Sequence, residues 1–312
     1  MHRSVPQMLR TIVHAATLTC ALAAMPARAA SPEPTIMAPG KLEPKVHTIR
    51  WNPAWGKVRW PELTLTAVAA GVAIAGQIIT PIGKSWNSSL VGDDDVRPVL
   101  RLDSSAERRT ARDYSDVLLT SLVAFPIIFD ALVVGGWSRQ SSEVAGQMVL
   151  MDAEVFAVVM ALQGTANVLA NRQRPYAVEC GGELAADSVD CEGTTRQRSF
   201  FSGHTSAAFA AASLMCTHQA NLDLYQNKQL GGVICASGYL LAATTGALRI
   251  ASDVHNMSDV VVGATVGTLV GLGLPWLFHY RFGDIDDPVE ESPGPTVRLA
   301  PMGLGLGAYG SF

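Results

Sequence analysis

Between residues 63 and 278 the chain alternates long apolar stretches with short polar knots. Six stretches stand out, at 63–82, 117–137, 148–170, 203–218, 231–248 and 259–278. None shows the period-two alternation of a half-buried strand, so the pattern predicts helices throughout. Five have the length a bilayer requires, and the fourth is short unless it runs on through 219–224. Six helices of similar length predict an all-α six-helix bundle, embedded in a membrane. Three carboxylates fall inside the stretches, away from their ends: Asp130, Asp152 and Glu154. Within a span such residues face the bundle interior or mark a functional path, and a structural hydrogen bond is the role expected of an interior Glu154.

The flanks read differently. Residues 31–60 are rich in Pro and Lys and predict an extended segment, in which 46–51 has the pattern of a short strand. The stretch 84–113 mixes charges, including Asp93-Asp94-Asp95 and Arg108-Arg109, and reads as a solvated connection with one or two amphipathic turns. Its acidic triplet is expected to be a solvated cap. The tail is rich in Pro and Gly and ends in an apolar alternation up to Phe312, read as an isolated strand whose candidate partner is 46–51. His2, Arg3 and Arg10 precede an apolar run, and Ala27 and Ala29 fit a small-x-small cleavage site. The expected organisation is a signal peptide at 1–29, an extended segment at 30–60, the six-helix domain at 61–281 and a tail at 282–312.

Composition supports the membrane reading. Of 312 residues, 48% are hydrophobic and only 16% charged, low for a soluble globular chain. Ala and Gly are abundant, as in closely packed membrane helices. The net charge of -4 and the lack of a basic stripe argue against nucleic-acid binding. Of the five cysteines, Cys20 leaves with the signal peptide. Cys180 and Cys191 flank an acidic loop and are expected to form a disulfide in an exported protein. Cys216 and Cys235 fall in apolar stretches and read as small buried hydrophobes. No Cys/His spacing of a zinc site appears, and no metal is expected.

Three polar knots carry the chemistry. In Arg249-x5-His255-x3-Asp259, a shared helix would put His255 and Asp259 on one face. A carboxylate beside one imidazole nitrogen fixes the tautomer and makes the other more basic, the arrangement a nucleophilic histidine needs. Arg249 adds a planar fork for oxyanions. Taken alone, the same residues also suit a polar helix start capped by Ser252 or Asp253. In Ser202-Gly203-His204, Ser202 is a good N-cap, and the first amides of the helix it starts form an anion site. Gly203 lets an oxyanion approach the backbone, and His204 stands beside it as a proton donor; the bland alternative is a capped helix with an incidental histidine. Arg174-Pro175 ends the third helix, where the arginine is either a second anion ligand or an interfacial anchor.

In this order and on these helix ends, the knots resemble the type 2 phosphatidic acid phosphatase and vanadium haloperoxidase superfamily. Its pattern is Lys-x6-Arg-Pro, then Pro-Ser-Gly-His, then Ser-Arg-x5-His-x3-Asp, and the resemblance covers residues 61–281. This chain matches Arg174-Pro175, Ser202-Gly203-His204, Arg249, His255 and Asp259. It departs at Asn167, which stands at the lysine position of the phosphate site, at Phe201 for the proline and at Leu248 for the serine. Arg172 is not expected to share Arg174's face and make up the lost charge. The resemblance implies a phosphatase acting on a phosphomonoester or pyrophosphate, with a lipid phosphate as the expected substrate and no cofactor. His255 would form a phosphohistidine, Asp259 would orient it and His204 would protonate the leaving oxygen. Arg174, Ser202, Gly203 and Arg249 would hold the phosphoryl group. One rival is a haloperoxidase using vanadate, against which Asn167 and the compact apolar chain weigh. The other is a degenerate membrane protein that binds anionic headgroups.

Sidedness poses a conflict. Relatives with six spans begin in the cytoplasm and expose the catalytic ends to the periplasm. A signal peptide instead delivers residue 31 onward to the outside, which places the loop from Arg174 to His204 inside, where a Cys180–Cys191 bridge does not fit. The expectation favoured is a bacterial membrane protein with a periplasmic site.

Overall fold

The computed structural model describes residues 47–182, 184, 188, 190–281, 296–302 and 305–311; the expected signal peptide and Cys20 lie outside them. Among the described residues the bundle expected from the sequence is present. Helix α1 spans Trp60–Ile78, and a short α2 spans Asp93–Leu100. Helix α3 runs over Ser105–Ala124 and continues with widened turns over Phe125–Ser138, where the Arg139 amide reaches back five residues to Val134 O at 2.8 Å. Helices α4 (Ser142–Ala170), α5 (Gly203–Leu222) and α6 (Lys228–Ala251) follow, then α7 (Met257–Pro275), prolonged over Trp276–Tyr280.

Local chemistry sets the ends. Ser104 Oγ accepts from the Glu107 amide at 3.2 Å while Glu107 Oε2 accepts from the Ser104 amide at 3.3 Å, a capping box that starts α3. Asn227 Oδ1 accepts from the amides of Gln229 and Leu230 at the start of α6, both at 3.0 Å. Asn171 adopts a left-handed φ of 45° and stops α4.

Helix α5 is the axis of the bundle. Its Ala207, Ala208, Ala210, Ala211, Ala212, Ser206 and Ser213 are buried, and α3, α4, α6 and α7 close on it. Small side chains let the neighbouring backbones come near. On α7, Gly263, Gly267 and Gly271 recur every four residues and face α5. A Cβ on Gly263 would lie 2.7 Å from Ser202 O, and one on Gly267 would run into Ser206 O. This glycine seam sets the spacing between the helix that begins at Gly203 and the helix that carries Asp259.

Five helices are long and apolar enough to cross a membrane by length and composition: α1, α3 with its continuation, α4, α6 and α7. Large apolar side chains such as Ile74, Val117, Leu240 and Leu269 are exposed on them, the outward face a bilayer would cover. Asp130, Asp152 and Glu154 turn inward and are buried. Glu154 Oε2 pairs with His279 Nε2 at 2.9 Å, the structural hydrogen bond expected of it, and Asp152 Oδ1 pairs with His218 Nε2 at 3.0 Å. Tyr225 donates to Asp130. The chain enters and leaves the bundle at one end, since the Trp55 and Tyr280 rings meet at 4.9 Å and the Gly56 amide donates to His279 O at 2.9 Å.

Three expectations are corrected. Cys216 and Cys235 are not free buried hydrophobes: a disulfide between them joins α5 to α6, with Cα atoms 4.8 Å apart. The C-terminal strand is not isolated and does not pair with the N-terminal segment. Strand β2 (Gly305–Ser311) pairs antiparallel with β1 (Thr296–Met302), while residues 47–51 form no strand. Asp93, the first of the acidic triplet, is 2% exposed and bound to Arg172 and Ser258 rather than to solvent.

The glycine seam yields a direct test. Gly267→Val forces α7 off α5 and is expected to destabilise the protein by ~1–3 kcal/mol or more. Gly273→Val, on the same helix with open space around it, is expected to leave the thermal midpoint in detergent unchanged.

Candidate active site

The three knots meet around one cavity of about 230 Å³. Arg174, Gly203, His204, Arg249 and His255 all line it. They arrive from the segment after α4, the first turn of α5, the last turn of α6 and the loop before α7. Gln77, Leu119, Met160, Gln163 and Ala207 complete the walls, with Arg198 at the side of α1. Two residues expected at the phosphate do not line the cavity. Ser202 is fully buried as the α5 N-cap, its Oγ accepting from the Thr205 amide at 3.4 Å and from Thr205 Oγ1 at 2.9 Å. Asn167 is 1% exposed and donates to Gln163 O at 3.1 Å in its own helix. Gln163, one turn earlier, reaches the cavity and accepts from Gln77 Nε2 at 3.2 Å.

His255 and Asp259 do not share a helix. Helix α7 starts only after Asn256, and Asp259 is its third residue, accepting from the Asn256 amide through Oδ2 at 2.9 Å. This capping contact turns the carboxylate back toward His255, whose Nδ1 lies 3.7 Å from Oδ2. The shorter contact of Nδ1 is with Ser199 O, at 2.8 Å. A carbonyl only accepts, so Nδ1 carries the proton and Nε2 keeps its lone pair. Ser199 also donates its Oγ to Asp259 Oδ2 at 2.6 Å and so holds both members of the pair. Burial pushes the His255 pKa down to about 4, against the opposing pull of Asp259 and with a further push from Arg174. The imidazole is therefore neutral and nucleophilic at ordinary pH.

Behind the pair lies Arg172, which does not enter the cavity. Its guanidinium donates to Asp259 Oδ1 at 2.5 Å, to Asp93 Oδ2 at 2.7 Å and to Ser258 Oγ at 2.7 Å. It packs over the Trp86 ring at 4.3 Å, and both carboxylates are buried with it.

On the other wall, His204 Nε2 lies 2.7 Å from Asp116 Oδ1. The same oxygen accepts from Arg249 Nη1 at 3.2 Å, and Ser115 Oγ accepts from that nitrogen at 3.0 Å. Arg249 Nε is buried without a protein partner. Arg174 donates through Nε to Arg198 O at 3.4 Å, and burial pushes its pKa down. Arg198 donates to Gly76 O and Ile79 O, both at 2.6 Å, and so caps the C-terminal end of α1 beside the cavity. Among the described residues no group of three or more His, Cys, Asp or Glu has the geometry to hold a metal ion.

Sequence reasoning missed Arg198, Ser199 and Asp116. The first two lie just upstream of the Ser202 knot, in a polar run that offered a signal. Asp116 had only its place at the start of an apolar stretch to mark it.

Cys180 and Cys191 form the expected disulfide in the segment between Arg174 and Ser202, with Cα atoms 5.7 Å apart. The Arg172 tie is testable. Arg172→Met leaves Asp93 and Asp259 buried without their counter-charge, at an expected cost of ~3–5 kcal/mol. Arg172→Lys, lacking the planar fork, is expected to recover only part of the thermal midpoint.

Two comparisons with known proteins find a match. The PAP2 superfamily model matches residues 153–283. A lipid A 1-phosphatase of Porphyromonas gingivalis is 27% identical over 192 residues, which cover 62% of this chain. The chain spans only 36% of that relative's length. No solved structure matches. The matched segment contains all three knots, the second half of α4 and the whole of α5, α6 and α7.

Proposed function

We propose that the protein is a membrane phosphatase that removes a phosphoryl group from a lipid phosphate or pyrophosphate by way of a phosphohistidine on His255. The observation that carries the reading is the wiring of His255. Its Nδ1 proton is given to Ser199 O, which leaves Nε2 as the nucleophile in a cavity that also holds Arg174, His204 and Arg249. In the first step Nε2 attacks phosphorus while His204 gives a proton to the departing oxygen. In the second, His204 takes a proton from water as the water attacks the phosphohistidine, and the P–N bond breaks. Arg174, Arg249 and the amide of Gly203 meet the charge that grows on the phosphoryl oxygens. Arg249 has a buried Nε free of protein partners for this purpose. Asp259 acts behind His255, through Ser199 and by its charge. As proposed, the reaction takes no cofactor.

The lipid nature of the substrate rests on three supports. One relative is a lipid A 1-phosphatase. Apolar helices surround the cavity. Leu119, Met160 and Ala207 give the cavity an apolar wall, which suits the part of a substrate next to an acyl chain.

We place the site on the outer, periplasmic face of a bacterial membrane, because the Cys180–Cys191 bridge lies in the loop at that end and disulfides persist in oxidising compartments; the Cys216–Cys235 bridge joins α5 to α6 within the bundle and does not bear on the side. Residues 47–59 enter the bundle at the opposite end. An outer site at the far end of α1 puts residues 47–59 on the inner side, where a cleaved secretory signal at 1–29 would not leave them. In intact cells treated with a membrane-impermeant reductant, Cys180 and Cys191 are expected to become labelled by an impermeant thiol reagent. Labelling only after lysis places the site inside.

Catalysis is testable on a panel of lipid and soluble phosphates. His255→Ala and His204→Ala are each expected to lower phosphate release by roughly 100-fold or more. Acid-labile phosphate from labelled substrate should be trapped on His255 in the wild type. The free-enzyme profile should also reflect the lowered pKa of His255. Because its neutral form persists down to about pH 4, kcat/KM is expected to show no loss as pH falls from roughly 7 to 5, where an ordinary histidine would already be protonated. Equal phosphate release by wild type and both variants on every substrate would sink the proposal.

A further inference from the structure

We infer that Asp116 is a positioning residue for proton transfer, holding the His204 imidazole by Nε2 so that Nδ1 is the nitrogen that serves the leaving oxygen. The inference rests on the phosphatase reading above and assigns a role to a residue outside all three motifs. Asp116 stands on α3, an element that contributes no residue to the motifs. Its Oδ1 lies 2.7 Å from His204 Nε2, the shortest contact His204 makes in the site, and it also accepts from Arg249 Nη1 at 3.2 Å. The adjacent Ser115 Oγ takes the same Arg249 nitrogen at 3.0 Å. Two neighbouring residues of α3 therefore fix the proton donor and one phosphate ligand relative to each other.

The arrangement mirrors the opposite wall. There, one nitrogen of His255 is tied to Ser199 O with Asp259 behind it. Here, one nitrogen of His204 is tied directly to a carboxylate. The difference suits the two tasks. A nucleophile needs a neutral ring with a lone pair, and a carbonyl supplies that. A general acid must hold a second proton until the P–O bond breaks; burial and the neighbouring Arg249 push the His204 pKa down to about 4, and the carboxylate on its far nitrogen opposes that push and favours the charged ring.

The steps balance. The His204 imidazolium donates from Nε2 to Asp116 and from Nδ1 to the leaving oxygen. As His255 Nε2 bonds to phosphorus and the P–O bond breaks, the Nδ1 proton goes to that oxygen and His204 becomes neutral. Its Nδ1 then accepts a proton from water as the water oxygen bonds to phosphorus and the P–N bond breaks, which restores the imidazolium. The charged and titratable groups around His204 are Asp116 from α3, Arg249 from α6 and His255 from the loop before α7, with Arg174 and Arg198 on the same cavity from the segment between α4 and α5. Helices α1 and α4 offer it Gln77 and Gln163, which do not titrate. Asp116 is the carboxylate in this group and the one that favours a protonated His204 directly.

The experiment uses the full chain in detergent with two probes, phosphatidic acid in mixed micelles and p-nitrophenyl phosphate. The alkoxide leaving group of the first requires a proton; the nitrophenolate of the second departs without one. Asp116→Asn is expected to lower kcat/KM on phosphatidic acid by about 100-fold and on the aryl ester by less than about tenfold. The alkaline limb of the phosphatidic acid profile should move to lower pH, because a His204 without its carboxylate loses its proton earlier. Asp116→Glu should restore part of the rate. Equal losses on both probes with an unmoved profile would reduce Asp116 to a structural residue and overturn the inference. So would an unchanged rate, or a lower KM with a higher kcat/KM, which would mean that the carboxylate merely occupies the phosphate position. A wild type that hydrolyses neither probe would instead defeat the phosphatase reading itself.

Discussion

Arg172 carries a full charge at 1% exposure, which is tolerable only because Asp93 and Asp259 meet it on either side and Trp86 covers its face. The tie joins three parts of the chain: the start of α2, the segment after α4 and the first turn of α7. Its consequence for chemistry is indirect but decisive. With Oδ1 of Asp259 committed to Arg172, only Oδ2 remains for the Asn256 amide and the Ser199 hydroxyl. Asp259 therefore does not contact the His255 ring at hydrogen-bond distance, and Ser199 O takes the Nδ1 proton. The His255 imidazole is oriented by the backbone carbonyl of Ser199, a residue that the carboxylate also holds in place.

This explains how far the site was legible in the sequence. The residues around Ser202 and around His255 to Asp259 are local patterns: caps, first-turn amides and a loop at the edge of a helix. Such features depend on neighbours within a few positions, and the family resemblance rested on them. The partners that finish the site lie far away in sequence. Asp116 meets His204 across 88 positions, and Asp93 meets Ser258 across 165. Nothing in a local window distinguishes Asp93 from its neighbours Asp94 and Asp95, yet burial beside Arg172 makes it a structural ion. The bundle was readable because helix length and apolarity are also local. Cys216 and Cys235 were misread for the converse reason. Each sits in an apolar stretch, and only the packing of α5 on α6 shows that they face each other.

The departure at Asn167 looks different once the cavity is described. Asn167 is buried in its own helix and does not line the cavity, so it offers no polar substitute for a lysine there. Positive charge at the cavity comes from Arg174, Arg198 and Arg249. They are not equivalent. Arg198 spends both terminal nitrogens on the carbonyls that end α1, and it acts on an anion through charge rather than as a clamp. Arg249 is tied through one nitrogen to Ser115 and Asp116, while its buried Nε has no protein partner. A buried donor left unmatched costs free energy, and a phosphoryl oxygen in the cavity would relieve that cost. Under the proposed function two groups would stand in for the grip of the lysine, a fixed charge at the rim and an unmatched donor inside. Only the second would need the substrate in order to be satisfied, so Arg249, with Asp116 holding its other nitrogen, would couple phosphate binding to the placement of the proton donor.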